Sequence, residues 1–226
     1  LGDDDEYSFY FGLCYPDSRA RDAFIRRVIK QATPAIGHDC LVTLLSHGLC
    51  DWVWTTNFDD LIERAERPDA QKRLSVVGPE SQSRLDRLLA DGTRPVLVKL
   101  HGDYRYDSLQ NTSEELQSLD AGLRQHLASI ADGRALVVVG YSGRDESVMS
   151  ALDEAAAAGR FQHGVYWCMR EGEEPRPRVQ SLIRSVRTAS SSGGFVEIVG
   201  FDDLLYRLYK QCQVRDEQIE SKAEAL

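Results

Sequence analysis

Three stretches of this chain run from apolar residues straight into residues able to do chemistry. Trp52-Val53-Trp54 leads into Thr55-Thr56-Asn57-Phe58-Asp59. Pro95-Val96-Leu97-Val98-Lys99-Leu100 leads into His101-Gly102-Asp103. Ala135-Leu136-Val137-Val138-Val139 leads into Gly140-Tyr141-Ser142-Gly143-Arg144-Asp145. A His at a strand end can act as a general base, and an Asn can hold a hydroxyl or a water. A Gly-Tyr-Ser-Gly turn offers backbone N–H groups to phosphate or ribose. Together these suit a nucleotide ligand whose sugar carbon is attacked by water or another nucleophile. The chain has no Gly-x-Ser-x-Gly elbow, no Walker loop and no His-Glu-x-x-His. Asp59, Asp103 and Asp145 could together hold Mg²⁺ for a nuclease, but that chemistry has no need of Asn57 or His101.

Each residue also has a plainer use. His101 could be a hydrogen-bonded core histidine. Asn57 could cap the helix that follows, and Asp59 and Asp60 sit where a helix dipole favours acids. Gly140 and Gly143 could be turn glycines alone. His38, His47, His126 and His163 fall on helices or loops without partners and read as structural or exposed. Trp52 and Trp54 alternate along a strand and read as core.

The elements that must position these groups follow from periodicity. Helical spacing covers 19–32, with Pro34 ending it, and 38–49. A strand at 51–54 precedes the Asn57 turn, and a helix runs from there to about 66. A loop over 67–80 leaves room for a short strand at 74–77. A helix at 81–90 stops at Asp91-Gly92, and 95–100 is a strong strand. Thr112-Ser113-Glu114-Glu115 reads as the start of a helix running to about 130. The unbroken apolar run 135–139 is expected to be the central strand. A helix at 146–158 closes at Gly159. A strand at 165–169, a loop at 170–178, a helix at 179–187, a strand at 195–199 and a helix from 202 or 203 to 212 complete the series. Strand–helix units in sequence imply an α/β fold of the Rossmann-like doubly wound type, a mostly parallel sheet with helices on both faces. No internal repeat or second independent core is expected. In such a sheet all carboxyl ends share one edge, so the three polar clusters are expected to converge there.

Composition limits the partners. Against 27 Lys and Arg stand 36 Asp and Glu, a net charge of −9, which argues against direct nucleic-acid binding. No apolar run approaches the roughly 18 residues that span a membrane. The cysteines are Cys14, Cys40, Cys50, Cys168 and Cys212, with no Cys-x-x-Cys pair. Most of them read as small buried hydrophobes in a reducing, cytoplasmic setting rather than as disulfides or a zinc ribbon.

The three clusters resemble those of the sirtuin-like NAD-consuming domains, in particular the bacterial anti-phage defence type. Thr55-Thr56-Asn57-Phe58-Asp59 is similar to that family's Thr-Gln-Asn-Ile-Asp, with Thr56 in place of Gln. Lys99-Leu100-His101-Gly102-Asp103 is similar to its strand ending in the catalytic His-Gly. Gly140-Tyr141-Ser142 resembles its Gly-Thr-Ser turn, with Arg144-Asp145 close behind. The resemblance covers roughly residues 38–210.

The resemblance implies NAD⁺ as substrate and no metal. Asn57 would hold the nicotinamide ribose and the attacking water, His101 would be the base, and Asp59 would orient Asn57 or the ribose. Thr55 and Thr56 would line the cofactor site. Gly140, Tyr141 and Ser142 would bind the adenosine side, with Gly200 or Phe201 at the adenine. Sirtuin deacylases carry a four-cysteine zinc module after the catalytic His; this chain has no Cys between 101 and 135. That departure favours NAD⁺ glycohydrolase activity, releasing nicotinamide and ADP-ribose, over protein deacylation or ADP-ribosyl transfer. A non-catalytic module sensing NAD or ADP-ribose is the other alternative. The family's Gly-Ala-Gly-x-Ser pyrophosphate loop is also absent. Because the chain opens at Leu1 rather than Met, that loop is expected upstream. The expected layout is a sirtuin-like domain over 1–212 and a polar tail or linker over 213–226. The expected role is an abortive-infection effector in the prokaryotic cytoplasm, held in check by homo-oligomerisation or a fused or associated sensor module.

Overall fold

The unbroken apolar run before His101 becomes a strand buried along its whole length, because neighbours pair with it on both sides. In the computed structural model, which describes residues 13–15, 17–78, 81–102, 126–127, 129–190 and 192–224, the elements follow in chain order. They are α1 (Ser18–Gln31), α2 (Ile36–Ser46), β1 (Trp52–Thr55), α3 (Leu61–Ala65), β2 (Ser75–Val77), α4 (Gln82–Ala90) and β3 (Val96–Lys99). Then come β4 (Leu136–Val138), α5 (Glu146–Ala157), β5 (Val165–Arg170), α6 (Pro177–Ser190), β6 (Gly194–Ile198), α7 (Phe201–Gln211) and α8 (Glu217–Glu224). The expected helix over 112–130 falls mostly outside the described residues, as do Asp103 and the acidic run at 3–6.

The chain divides into two compact units, Leu1–Glu115 with Asp202–Leu226, and Leu116–Phe201. The first carries a parallel sheet in the order β1-β3-β2. Trp52 pairs with Val96 and Thr55 with Lys99 on one side of β3, and Ser75 pairs with Val96 on the other. Its core gathers Leu45, Val77, Leu85, Val96, Leu97 and Val98. The second carries a parallel sheet in the order β4-β5-β6, with Val138 opposite Trp167 and Trp167 opposite Phe195. Met149, Ala155, Val165, Val179, Leu182 and Val186 fill its core. The fold is α/β and Rossmann-like, parallel strands flanked by helices.

Several ends are set by local chemistry. Gly159 takes φ +66 after α5, and Gly159 N–H to Ala156 O with Arg160 N–H to Ala155 O closes the helix in a Schellman arrangement. Pro177 opens α6 two residues ahead of the expected start, at a position where a missing N–H costs nothing. Other features depart from expectation. The run 135–139 does not form the middle strand of its sheet. β5 lies between β4 and β6, and Val137 is 49% exposed. Apolarity reports burial tendency, not strand order, and the longer β5 has Val165, Trp167 and Cys168 buried. Trp52 and Trp54 are half-buried rather than core. Their rings stack at 6.5 Å, and the Arg94 guanidinium lies 4.3 Å over Trp52.

Helix α2 starts two residues early, behind Ala35, which has no capping side chain. Asp202 Oδ1, from α7, accepts the Gly37 N–H at 2.8 Å, and His38 Nδ1 accepts the Ala35 N–H at 3.1 Å. His47 Nδ1 lies 2.9 Å from Thr43 O, so both histidines have local partners. Residues 217–224 form a helix whose Ile219 is 1% exposed and whose Lys222 pairs with Asp39 of α2. Cys40 and Cys168 are buried, whereas Cys14 and Cys212 are exposed. Burial, helped by Asp39, Asp202 and Asp216, pushes the Cys40 thiol up to about 12. Among the described residues no helix is long and apolar enough to cross a membrane.

Candidate functional site

In the first unit, parallel pairing of β1 with β3 fixes where the chemistry emerges. Thr55 is in register with Lys99, and the Leu100 N–H donates to Thr55 O at 2.8 Å. Two residues beyond each register partner stand Asn57 and His101. The sheet therefore brings these two to adjacent strand ends, the position at which open α/β sheets build sites.

The connection from β1 to α3 is tightly specified. Thr55 Oγ1 accepts the Asn57 N–H at 3.0 Å and turns the chain as the strand ends. Asp59 Oδ1 accepts the Leu61 N–H at 3.0 Å, so the carboxylate considered as an orienting group is engaged at the start of α3. Asp60 stands at the N-cap position, buried and paired with Arg64 at 3.7 Å. Asn57 takes no part in capping. Its residue is exposed, and its side chain has no hydrogen-bond partner among the described residues. His101 is the reverse, only 7% exposed, with the Phe58 ring tilted against it at 6.4 Å between centroids. Gly102, directly after His101, takes φ +95. The two adjacent strand ends thus carry one exposed asparagine and one enclosed histidine.

A residue to which the sequence reading gave no role joins the two segments that carry this pair. Lys99 is 1% exposed, and its Nζ donates to Asp59 O at 2.5 Å and pairs with Glu63 Oε1 at 2.8 Å. The available signal was a lysine closing a fully buried strand, Val96-Leu97-Val98-Lys99. A buried ammonium has to be paired, so it must reach a carboxylate or carbonyl nearby.

In the second unit, β4 leads into the Gly140–Asp145 turn. Gly140, Ser142 and Arg144 are exposed. Tyr141 packs on Trp167 at 5.9 Å between ring centroids and donates its O–H to Asp145 O at 3.3 Å. Burial, with Asp145 beside it, raises the Tyr141 hydroxyl well above its usual ionisation range. Asp145 caps α5, accepting Ser147 N–H at 3.0 Å and Val148 N–H at 3.2 Å. Gly143, at φ +74, is required by space as well as by conformation. A Cβ there would meet Val179 Cγ2 at 2.5 Å. Phe201 opens α7 and is half-buried. Gly140, Tyr141 and Ser142 thus stand on one turn, with Ser142 at its exposed tip.

Two clefts lie elsewhere. One of about 290 Å³ in the first unit is lined by Thr43, His47, Arg67, Gln71 and Arg215 among others. One of about 260 Å³ in the second unit is lined by Ala156, Phe161, Val186 and Ser190 among others. None of the candidate residues lines either. Among the described residues no group of three or more His, Cys, Asp or Glu side chains comes together as a metal centre requires.

Comparison with known proteins returns one family. The model of the SIR2-like domain matches residues 51–188, more than half of the chain, and no curated protein matches. The matched span takes in Asn57, His101 and the Gly140–Ser142 turn. The chain belongs to the SIR2-like family, which makes NAD⁺ its substrate or cofactor.

Proposed function

We propose that this protein hydrolyses NAD⁺ at the bond between nicotinamide and ribose. The observation that carries the reading is the pairing of an exposed Asn57, unused in helix capping, with an enclosed His101 at the neighbouring strand end. Asn57 holds a ribose hydroxyl and the attacking water. The water oxygen bonds to the ribose C1′, the C–N bond to nicotinamide breaks, and the electron pair leaves with the now neutral ring. His101 takes the proton that the water loses. The products are nicotinamide, ADP-ribose and one proton. Asp59 acts through its position, holding the start of α3 and with it the Asn57 turn. Thr55 and Thr56 line the same strand end, and Gly140, Tyr141, Ser142 and Phe201 bind the adenosine part. No metal ion enters this scheme.

An enzyme that destroys NAD⁺ harms the cell that makes it, so its activity has to be held in check. We place it as an effector of prokaryotic anti-phage defence in the cytoplasm, silent until a sensor module or self-assembly releases it, and then causing abortive infection by depleting NAD⁺.

The test is nicotinamide release from NAD⁺ by the full chain in its activated form. Release that vanishes in both Asn57→Ala and His101→Ala supports the reading, and normal turnover in both variants overturns it. Deacylation of an acyl-lysine peptide only when NAD⁺ is present would instead support the deacylase reading. Tight ADP-ribose binding by calorimetry with no product would support a sensor.

A further inference from the structure

We infer that Lys99 is a positioning residue that locks the Asn57 turn to the His101 strand, an inference that rests on the NAD⁺-hydrolysis reading of the same strand ends. The side chain leaves β3 two residues before His101 and is 1% exposed. Its ammonium is anchored on the β1–α3 connection by the Asp59 carbonyl at 2.5 Å, and on α3 itself by the Glu63 carboxylate at 2.8 Å. Asp59 lies two residues after Asn57. One side chain therefore bridges the two segments that carry the carboxamide and the imidazole. Among the described residues, backbone pairing of β1 with β3 reaches to Thr55 O and Leu100 N–H and no further. Beyond that point the strand ladder no longer fixes the turn, and Lys99 takes over from it.

The choice of residue follows from physics. A carbonyl and a carboxylate together accept from a cation with several donors, and charge-assisted hydrogen bonds are roughly twice as strong as neutral ones. The burial of Lys99 beside Glu63, itself 14% exposed, makes the pair costly to break from one side. An apolar residue at 99 would fit the burial pattern of β3 equally well, so the lysine brings something that packing does not need.

Three variants of the full chain test this. Lys99→Met keeps length and volume and removes the donors. Lys99→Arg keeps the charge with altered geometry. Glu63→Gln keeps an acceptor and removes the countercharge. A misplacement of about 1 Å costs on the order of 100-fold in turnover, so kcat for nicotinamide release should fall about 10- to 100-fold in Lys99→Met. KM should change far less, because the adenosine part is assigned to other residues. Lys99→Arg should recover part of kcat, and Glu63→Gln should lose only several-fold. A folded Lys99→Met with the kcat of the unaltered protein overturns the inference. So does a Lys99→Met whose loss appears in KM alone.

Hydrogen exchange reads the same inference without activity. The amides of residues 56–61 should exchange about tenfold or more faster in Lys99→Met, while those of 52–55 keep their protection. Unchanged exchange at 56–61 overturns it. Should Lys99→Met not fold, Glu63→Gln decides by the same two readouts, and unchanged kcat together with unchanged exchange at 56–61 overturns the clamp. If the unaltered protein releases no nicotinamide, the hydrolysis reading fails, and the exchange result still stands or falls by itself.

Discussion

The polar turn after β1 and the polar turn after β4 both leave a parallel strand and enter a helix, yet they are held in opposite ways. The second is held by its neighbours in sequence. Tyr141 bonds to Asp145, Asp145 caps the helix it begins, and Gly140 and Gly143 supply the backbone bends. Its distant contacts are the Tyr141 ring on Trp167 and the close approach of Gly143 to Val179. The first turn begins with local bonds, Thr55 to Asn57 and Asp59 to Leu61. It is then fixed by a buried cation from a strand some 40 residues away, since Lys99 holds Asp59. The locally built turn carries an exposed serine, suited to holding a ligand. The distantly pinned turn carries the groups proposed to react. Placement to within an ångström matters for reaction far more than for binding, and a buried charge pair supplies it where a flexible loop would not.

The comparison can be broken at either turn. The largest effect is expected from His101→Ala, which should lower nicotinamide release by about 10²–10⁴-fold, whereas Ser142→Ala should act mainly on KM. Steady-state kinetics on both variants separates the two roles, and a larger kcat loss in Ser142→Ala would reverse the assignment. Next is Gly143→Ala. It adds a methyl 2.5 Å from Val179 Cγ2 at φ +74 and should cost roughly 2–5 kcal/mol of stability, read by thermal melting. Gly140→Ala carries only the conformational part, since no atom lies within 4 Å of its added Cβ, and should cost about 1–2 kcal/mol.

Smaller effects compare a local cap with a distant one. Asp145→Ala removes the acceptor of two N–H groups, and Asp202→Ala removes the acceptor of the Gly37 N–H; each should cost about 1 kcal/mol by denaturant titration. The first should loosen only the start of α5 in hydrogen exchange, and the second should loosen α2 and α7 together. The smallest effect at neutral pH concerns Cys40. Its folded thiol ionises near 12 against an ordinary 9.0, so the unfolded chain loses a proton first as pH rises. Its contribution to stability is therefore complete below 9 and is lost progressively between 9 and 12. At pH 8, alkylation should reach the exposed Cys14 and Cys212 quickly and Cys40 only on unfolding.

Much of the fold was legible because its signals are local. The strand at β3 was readable as an unbroken apolar run, α5 from its acidic start and closing glycine, and the short β2 from the apolar residues inside a loop. The SIR2-like family was legible for the same reason, since three short motifs each sit on a strand end. Strand order was not legible. The apolar run at β4 reads as central, yet β5 holds the middle of its sheet, because periodicity records which faces are buried and not which strand lies beside which.

By itself, then, the sequence determined the class of fold, the family, and the residue types available at each strand end. It did so because hydrophobic period, caps and turn glycines act over only a few residues. Tertiary structure alone decided how those residues are held. It gave the Gly37 N–H at the start of α2, where Ala35 cannot cap, the carboxylate of Asp202 from far along the chain. It assigned the Asp59 carboxylate to α3 and left Asn57 facing solvent. It turned Lys99 from the last residue of a buried strand into a tie across two segments. The physical reason is the same in each case. A buried polar group must find a partner, and which partner it finds depends on what the fold brings within about 3 Å, a proximity that spacing along the chain does not record.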